Sequence, residues 1–444
     1  MFSHLIVNAR LVNEGRVFEA DLRVRNGVIA EIGRALGARP DEQVFDAAGR
    51  TLLPGMIDDQ VHFREPGLTH KGDIGTESRA AIAGGITSYM EMPNTSPWTG
   101  SMEMIGQKCA RAAQSSLGNY AFYLGATNDN LADVARADEY GVAGIKVFMG
   151  ASTGNMLVDD PDVLDAIFRD APCLIATHCE DTPTIHANLA RFRERHGEEI
   201  PPDAHPDIRS REACLKSTLL AIELAKRHDA RLHVLHISTA EELELFAPGP
   251  PDGKRITAET CLHFLHFCRE DYARKGNLIK CNPALKEASD RAALWQAVND
   301  GRIDVLATDH APHLLAEKSA RYDRAAAGLP LVQYALPLVL ERYHDGILDL
   351  SRIVEKIAHA PARIFGVRNR GYLREGYQAD LVLVDLERGR VVRREDVLSR
   401  CGWSPFEGDR FRSTVAATWV NGHLAYRDGQ IDDRILGQRL EFAR

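Results

Sequence analysis

Hydrophobic and polar positions change character twice along the chain. The first fifty residues carry short β-like runs at Leu5 to Val7, Arg16 to Phe18, Leu22 to Val24 and Val28 to Ile32, with the turn pair Asn26-Gly27 before the last of them. The last stretch has the same texture: Asp380 to Val384, Thr414 to Val420 and His423 to Tyr426, with Asn421-Gly422 as the turn. Between them, short apolar runs alternate with helical patterns. Strands are expected near Met56 to Val61, Ile86 to Met92, Tyr120 to Leu124, Gly144 to Phe148, Cys173 to Thr177, Leu232 to His236, Arg255 to Glu259 and Ile303 to Thr308, and helices over Glu212 to His228 and Asp290 to Asp300. About eight β/α units in succession predict a closed parallel barrel. An open doubly wound sheet would carry a Gly-rich turn after its first strand, and none is evident. The expected fold is α/β: a (β/α)8 TIM-type barrel over 54–371, with a small β-sandwich domain built from both termini, 1–53 and 372–444.

Composition narrows the function. The 444 residues are 44% hydrophobic and 26% charged, enough for a large core without staples. A net charge of -9, from 54 basic and 63 acidic residues, gives no basic face for nucleic acid. Eight cysteines with no C-x-x-C spacing read as reduced, buried thiols of a cytoplasmic protein. No signal peptide is read at the N-terminus, and no apolar run reaches membrane-spanning length.

The candidate chemistry lies in where polar residues fall on the barrel strands. His62, His178, His236 and Asp309 each follow or end a predicted strand, and Lys146 lies within one. The C-terminal ends of the strands are where barrel active sites are built. Imidazole and carboxylate suit zinc and related divalent ions. A histidine taken singly is more often structural than a ligand, but five such residues on five strands point to a metal site. His263 and His266 read as structural, and His70, His186, His196, His205, His228 and His344 as surface residues.

The segments GMIDDQVHFREPG (Gly55 to Gly67), MEMPNT (Met90 to Thr95), GIKVFMG (Gly144 to Gly150), ATHCE (Ala176 to Glu180), LHISTAEE (Leu235 to Glu242) and ATDHAPH (Ala307 to His313) resemble those of dihydroorotases, in the cyclic amidohydrolase superfamily. The resemblance implies reversible hydrolysis of dihydroorotate to N-carbamoyl-aspartate, with one or two zinc ions as cofactor. It implies that Lys146 is carboxylated and bridges the metals, that His178 and His236 hold one and His62 and Asp309 the other, and that Asp309 is general base and acid. Arg64, two residues beyond His62, is placed to grip a carboxylate. The resemblance adds Asn94 and His313 to that carboxylate pocket, and Asn282 to substrate binding. One position departs from the family: Gln60 stands where a ligand histidine is usual, with Asp58 or Asp59 as a compensating carboxylate. The competing expectations are a hydantoinase or allantoinase, whose substrates lack the ring carboxylate, and a non-catalytic subunit that scaffolds an aspartate transcarbamoylase. A homodimer is expected from base rates alone.

Overall fold

The computed structural model describes residues 3–150 and 156–443. Eight parallel strands form a closed ring: β1 Met56–Val61, β2 Ile86–Glu91, β3 Asn119–Phe122 continued by Leu124–Gly125, β4 Ile145–Phe148, β5 Ile175–His178, β6 Leu232–Val234, β7 Ile256–Cys261 and β8 Val305–Ala307. Each pairs in parallel with the next, from β1–β2 through β7–β8. A parallel bridge between Val61 and His310, just beyond β8, closes the circle. The expected barrel is therefore present, and the open-sheet alternative is not.

The barrel strands read as unbroken apolar runs because both faces are covered. Apart from half-buried Ile256, every residue of β1 to β8 is buried. Helices cover the outside, several of them begun by a side-chain cap that satisfies free N–H groups of the first turn. Asp73 accepts from Thr76 N ahead of Ile74–Ala83, and Ser210 from Ala213 N ahead of Arg211–Arg227. Two strands stop earlier than their sequence suggests. His236 and Asp309 adopt φ values of 44° and 49°, so β6 and β8 end before these residues.

The two chain ends meet in a second sheet. Nine strands are joined in it, in the order Gln430–Ile431, His423–Arg427, Thr414–Val420, Leu381–Asp385, Thr51–Pro54, Ser3–Asn13, Arg16–Arg25 and Val28–Gly33, with Gln43–Asp46 on the flank of Ser3–Asn13. Two of its hairpin turns are where the Asn-Gly pairs lie. Asn26 and Gly27 have φ of 53° and 85°, Asn421 and Gly422 of 49° and 76°, the left-handed pair that a tight hairpin requires. Buried residues from both termini, among them Ile6, Leu22, Leu383 and Trp419, form one core. The C-terminal stretch is not confined to this sheet. Trp403 Nε1 donates to His313 O across 2.8 Å, and Ser399 and Arg400 bond Glu77 of a barrel helix. Among the described residues no helix is long and apolar enough to cross a membrane. All eight cysteines are free thiols.

Candidate active site

The C-terminal ends of the strands surround a pocket lined by Gln60, His62, Arg64, Asn94, Lys146, Phe148, His178, His236, Asn282, Asp309, Ala311, Ala327 and Gly328. All but one of the residues singled out in the sequence line this one cavity. The exception is His313, which stands behind Arg64. Gly328 is required in the wall. At its φ of 139° a Cβ would lie 2.6 Å from Ala311 O.

Two of the three imidazoles are oriented from behind. His178 Nε2 lies 3.0 Å from Glu180 Oε2 and His62 Nδ1 2.7 Å from Asn94 Oδ1. These acceptors fix the ring protons on the outer nitrogens. The inner nitrogens of these two rings then present lone pairs. His178 Nδ1 faces His236 Nε2 at 2.9 Å, and His62 Nε2 faces Asp309 Oδ1 at 3.1 Å. Burial lowers the pKa of all three histidines, that of His236 well below its ordinary value, so they are neutral at pH 7. Burial alone would raise Glu180, but the Arg209 guanidinium and His178 bring it down to about 2. Lys146 Nζ stands 4.7 Å from the Phe148 ring centroid, with no hydrogen-bond acceptor among the described residues. Burial brings its pKa down to about 8.

Arg64 is 5% exposed, and burial lowers even its pKa to about 10. Its Nε donates to Pro312 O over 3.1 Å and Nη2 lies 3.0 Å from His313 Nε2. Lys71 donates to His313 Nδ1 over 3.1 Å, which leaves the proton on Nε2, 3.0 Å from Ala327 O. The Asn282 Oδ1 atom is buried without a hydrogen-bond partner.

Gln60 turns its amide toward Asp309, with Nε2 3.2 Å from Oδ1 and Oε1 3.6 Å from Cys261 Sγ. Neither neighbouring carboxylate takes the place of the missing imidazole. Asp58 is spent on Thr308, accepting from N at 3.1 Å and Oγ1 at 2.6 Å. Asp59 joins a separate cluster with His233 and Glu259, deep inside the barrel. Three inward ring nitrogens, a carboxylate and a lysine with no acceptor among the described residues form a donor set that fits a divalent cation.

Sequence reasoning missed Glu180, although its place two residues past His178 was a signal. It also missed His233 and Glu259, which sit unmarked inside β6 and β7. His263 is buried, with neither ring nitrogen hydrogen-bonded. His205, expected at the surface, is instead 1% exposed and held by Tyr322 Oη and Cys281 O, both at 2.8 Å. Its flanking Ala204 and Pro206 pack inward and take it along.

A closed barrel with imidazoles, a carboxylate and a lysine gathered at its strand ends has the layout of a hydrolytic metal centre. The model of the amidohydrolase family, a family of metal-dependent enzymes, matches residues 51–425, and the chain belongs to that family. A dihydroorotase of Halobacterium salinarum is 37% identical over 401 residues, covering 87% of this chain and 92% of that protein. An allantoinase of Desulfitobacterium hafniense is 31% identical over 446 residues, covering 98% of each. The solved structure of an L-hydantoinase from Arthrobacter aurescens superposes with a TM-score of 0.93 at 27% identity, covering 99% of this chain and 100% of that one. The protein is a cyclic amidohydrolase.

Proposed function

We propose that the chain is a dihydroorotase, which opens dihydroorotate to N-carbamoyl-L-aspartate and closes it again. The observation that carries this reading is Arg64, a buried guanidinium on the pocket wall. Dihydroorotate bears a ring carboxylate that hydantoin and allantoin lack, and a desolvated guanidinium recognises a carboxylate with paired, charge-assisted hydrogen bonds. Asn94 and Asn282 supply further polar atoms on the same wall, and Pro312 O steadies Arg64 from behind by accepting from its Nε.

His178 and His236 would hold one divalent ion, zinc by donor type, and His62 and Asp309 another. Lys146, carboxylated, would join them. Such an ion, when bound, supplies a Lewis acid that polarises the amide carbonyl and lowers the pKa of water from about 15.7 to about 7. Asp309 takes the proton released by the attacking water and delivers it to the ring nitrogen as the C–N bond breaks. In the reverse direction it removes that proton as the ring closes. Carboxylation needs a neutral amine at Lys146. Its uptake of bicarbonate-derived carbon dioxide, followed by carbon-13 NMR, is expected to rise with pH through about 8 and to level off above it.

The deciding experiment measures turnover of dihydroorotate by protein supplied with zinc and bicarbonate, beside hydantoin and allantoin. Chelator-sensitive turnover of dihydroorotate alone is the expected result. Turnover of allantoin or hydantoin instead overturns the substrate. Absence of any turnover in metal-loaded protein overturns the enzyme reading in favour of a scaffolding role, which Gln60 alone supports.

A further inference from the structure

Asp59, His233 and Glu259 meet inside the barrel, each 0% exposed, on β1, β6 and β7. His233 Nε2 lies 3.2 Å from Asp59 Oδ2 and 3.5 Å from Glu259 Oε2. None of these atoms has a properly formed hydrogen bond, and Asp59 Oδ1 has none either. Four buried donor atoms are thus left without partners in one place, where an unsatisfied polar group is costly.

The hydrogen-bond chain behind His233 decides which way its lone pair points. The Thr257 hydroxyl donates to Leu232 O over 3.3 Å, so it accepts from His233 Nδ1 at 2.8 Å. The Nδ1 proton is thereby fixed and Nε2 is left facing two carboxylates, which against the lowering effect of burial raise the His233 pKa to about 9, so without an ion the ring is an imidazolium. A positive charge has to stand between them. One proton on Nε2 would serve one carboxylate well and leave the other short of a donor. Two donors each about 2.1 Å from a tetrahedral zinc ion stand about 3.4 Å apart, close to the spacings found here.

We propose that Asp59, His233 and Glu259 form a closed structural site for a divalent cation of the zinc type, distinct from the metal centre at the strand ends. The ion neutralises both carboxylates and uses every orphaned donor, with Asp59 able to offer both oxygens. Because all three residues are sealed from solvent, the ion enters as the barrel folds and leaves only when it opens. Glu259 Oε1 also accepts from His236 N at 3.2 Å. The buried ion therefore braces the backbone that carries a rim imidazole.

The test counts metal in full-length protein dialysed against a chelator until the rim site is stripped. Wild type is expected to retain about one divalent ion per chain, and Glu259→Gln and His233→Phe to retain almost none. His178→Ala, altered only at the rim, is expected to keep the ion. Where a triad variant fails to fold, anomalous scattering at the zinc edge from wild-type crystals gives the answer, with a peak between the three side chains expected. Chelated wild type with no retained ion and no such peak would mean that a proton alone occupies the site, and the proposal fails. These readouts do not depend on which cyclic amide the enzyme opens.

Discussion

The barrel rim and the terminal sheet use the same backbone conformation for opposite ends. In the sheet, the left-handed residues include Asn26, Asn421 and Asp428, with glycines beside them in tight turns. Those residues adopt it cheaply. At the rim the left-handed residues are Arg64, His236 and Asp309, with φ of 72°, 44° and 49°. All three line the pocket. Asp309 takes it as readily as Asp428 does, but Arg64 is no turn former, and holding such a residue there costs about 1–3 kcal/mol. The rim also buries the Arg64 guanidinium and Lys146 with no carboxylate paired to either among the described residues, whereas the guanidiniums buried beside the sheet, Arg23 and Arg370, are paired with Glu42 and Asp380. The contrast separates a region that gives up stability to aim side chains from one that supplies it.

The sharpest way to break that contrast is Asp309→Asn. It is expected to lower kcat by about 10³-fold while Tm holds or rises, since asparagine tolerates left-handed backbone at least as well. A variant within tenfold of wild type would remove Asp309 from proton transfer. Trp419→Ala tests the other region. It empties a fully buried site packed edge-on against Phe45, with centroids 5.0 Å apart, and should cost about 3–5 kcal/mol in denaturant unfolding. KM and kcat of the folded fraction should not move, and a shift in either would show that the sheet shapes the pocket.

Smaller effects sharpen the picture at the rim. Arg64→Met should raise KM for dihydroorotate about a hundredfold, as expected for loss of charge-assisted bonds to a carboxylate, and should leave a neutral cyclic amide unaffected. Equal losses on both substrates would make Arg64 structural. Glu180→Gln removes the charge behind His178 and should weaken zinc binding about tenfold in competition with a chromophoric chelator. Unchanged affinity would mean that the ring is held by packing alone.

Most of the framework was legible in the sequence because periodicity and turn chemistry are local. Unbroken apolar runs marked the strands covered on both faces, and the two Asn-Gly pairs marked hairpins that the structure contains. The pocket residues were legible because they fall just past strand ends, where an irregular polar residue stands out. Asp59, His233 and Glu259 were not, since a polar residue inside an apolar run gives no sign of its partners on other strands. His205 was misread for a related reason. Its proline-rich surroundings suggest exposure, while its burial depends on Tyr322 and Cys281, far along the chain. The fate of Asp58 was equally hidden, because it depends on Thr308 across the closure of the barrel.

The pairing of Thr51 with Val384 sets a timetable for synthesis. A ribosome makes one half of the terminal sheet first and its partner strands only after the whole barrel has emerged. Until then Thr51–Pro54 presents an apolar edge with nothing beside it. Trp403, which donates to His313 O behind Arg64, arrives later still. The nascent protein therefore carries an unfinished sheet through most of its translation, and its catalytic mouth is among the last parts to be completed.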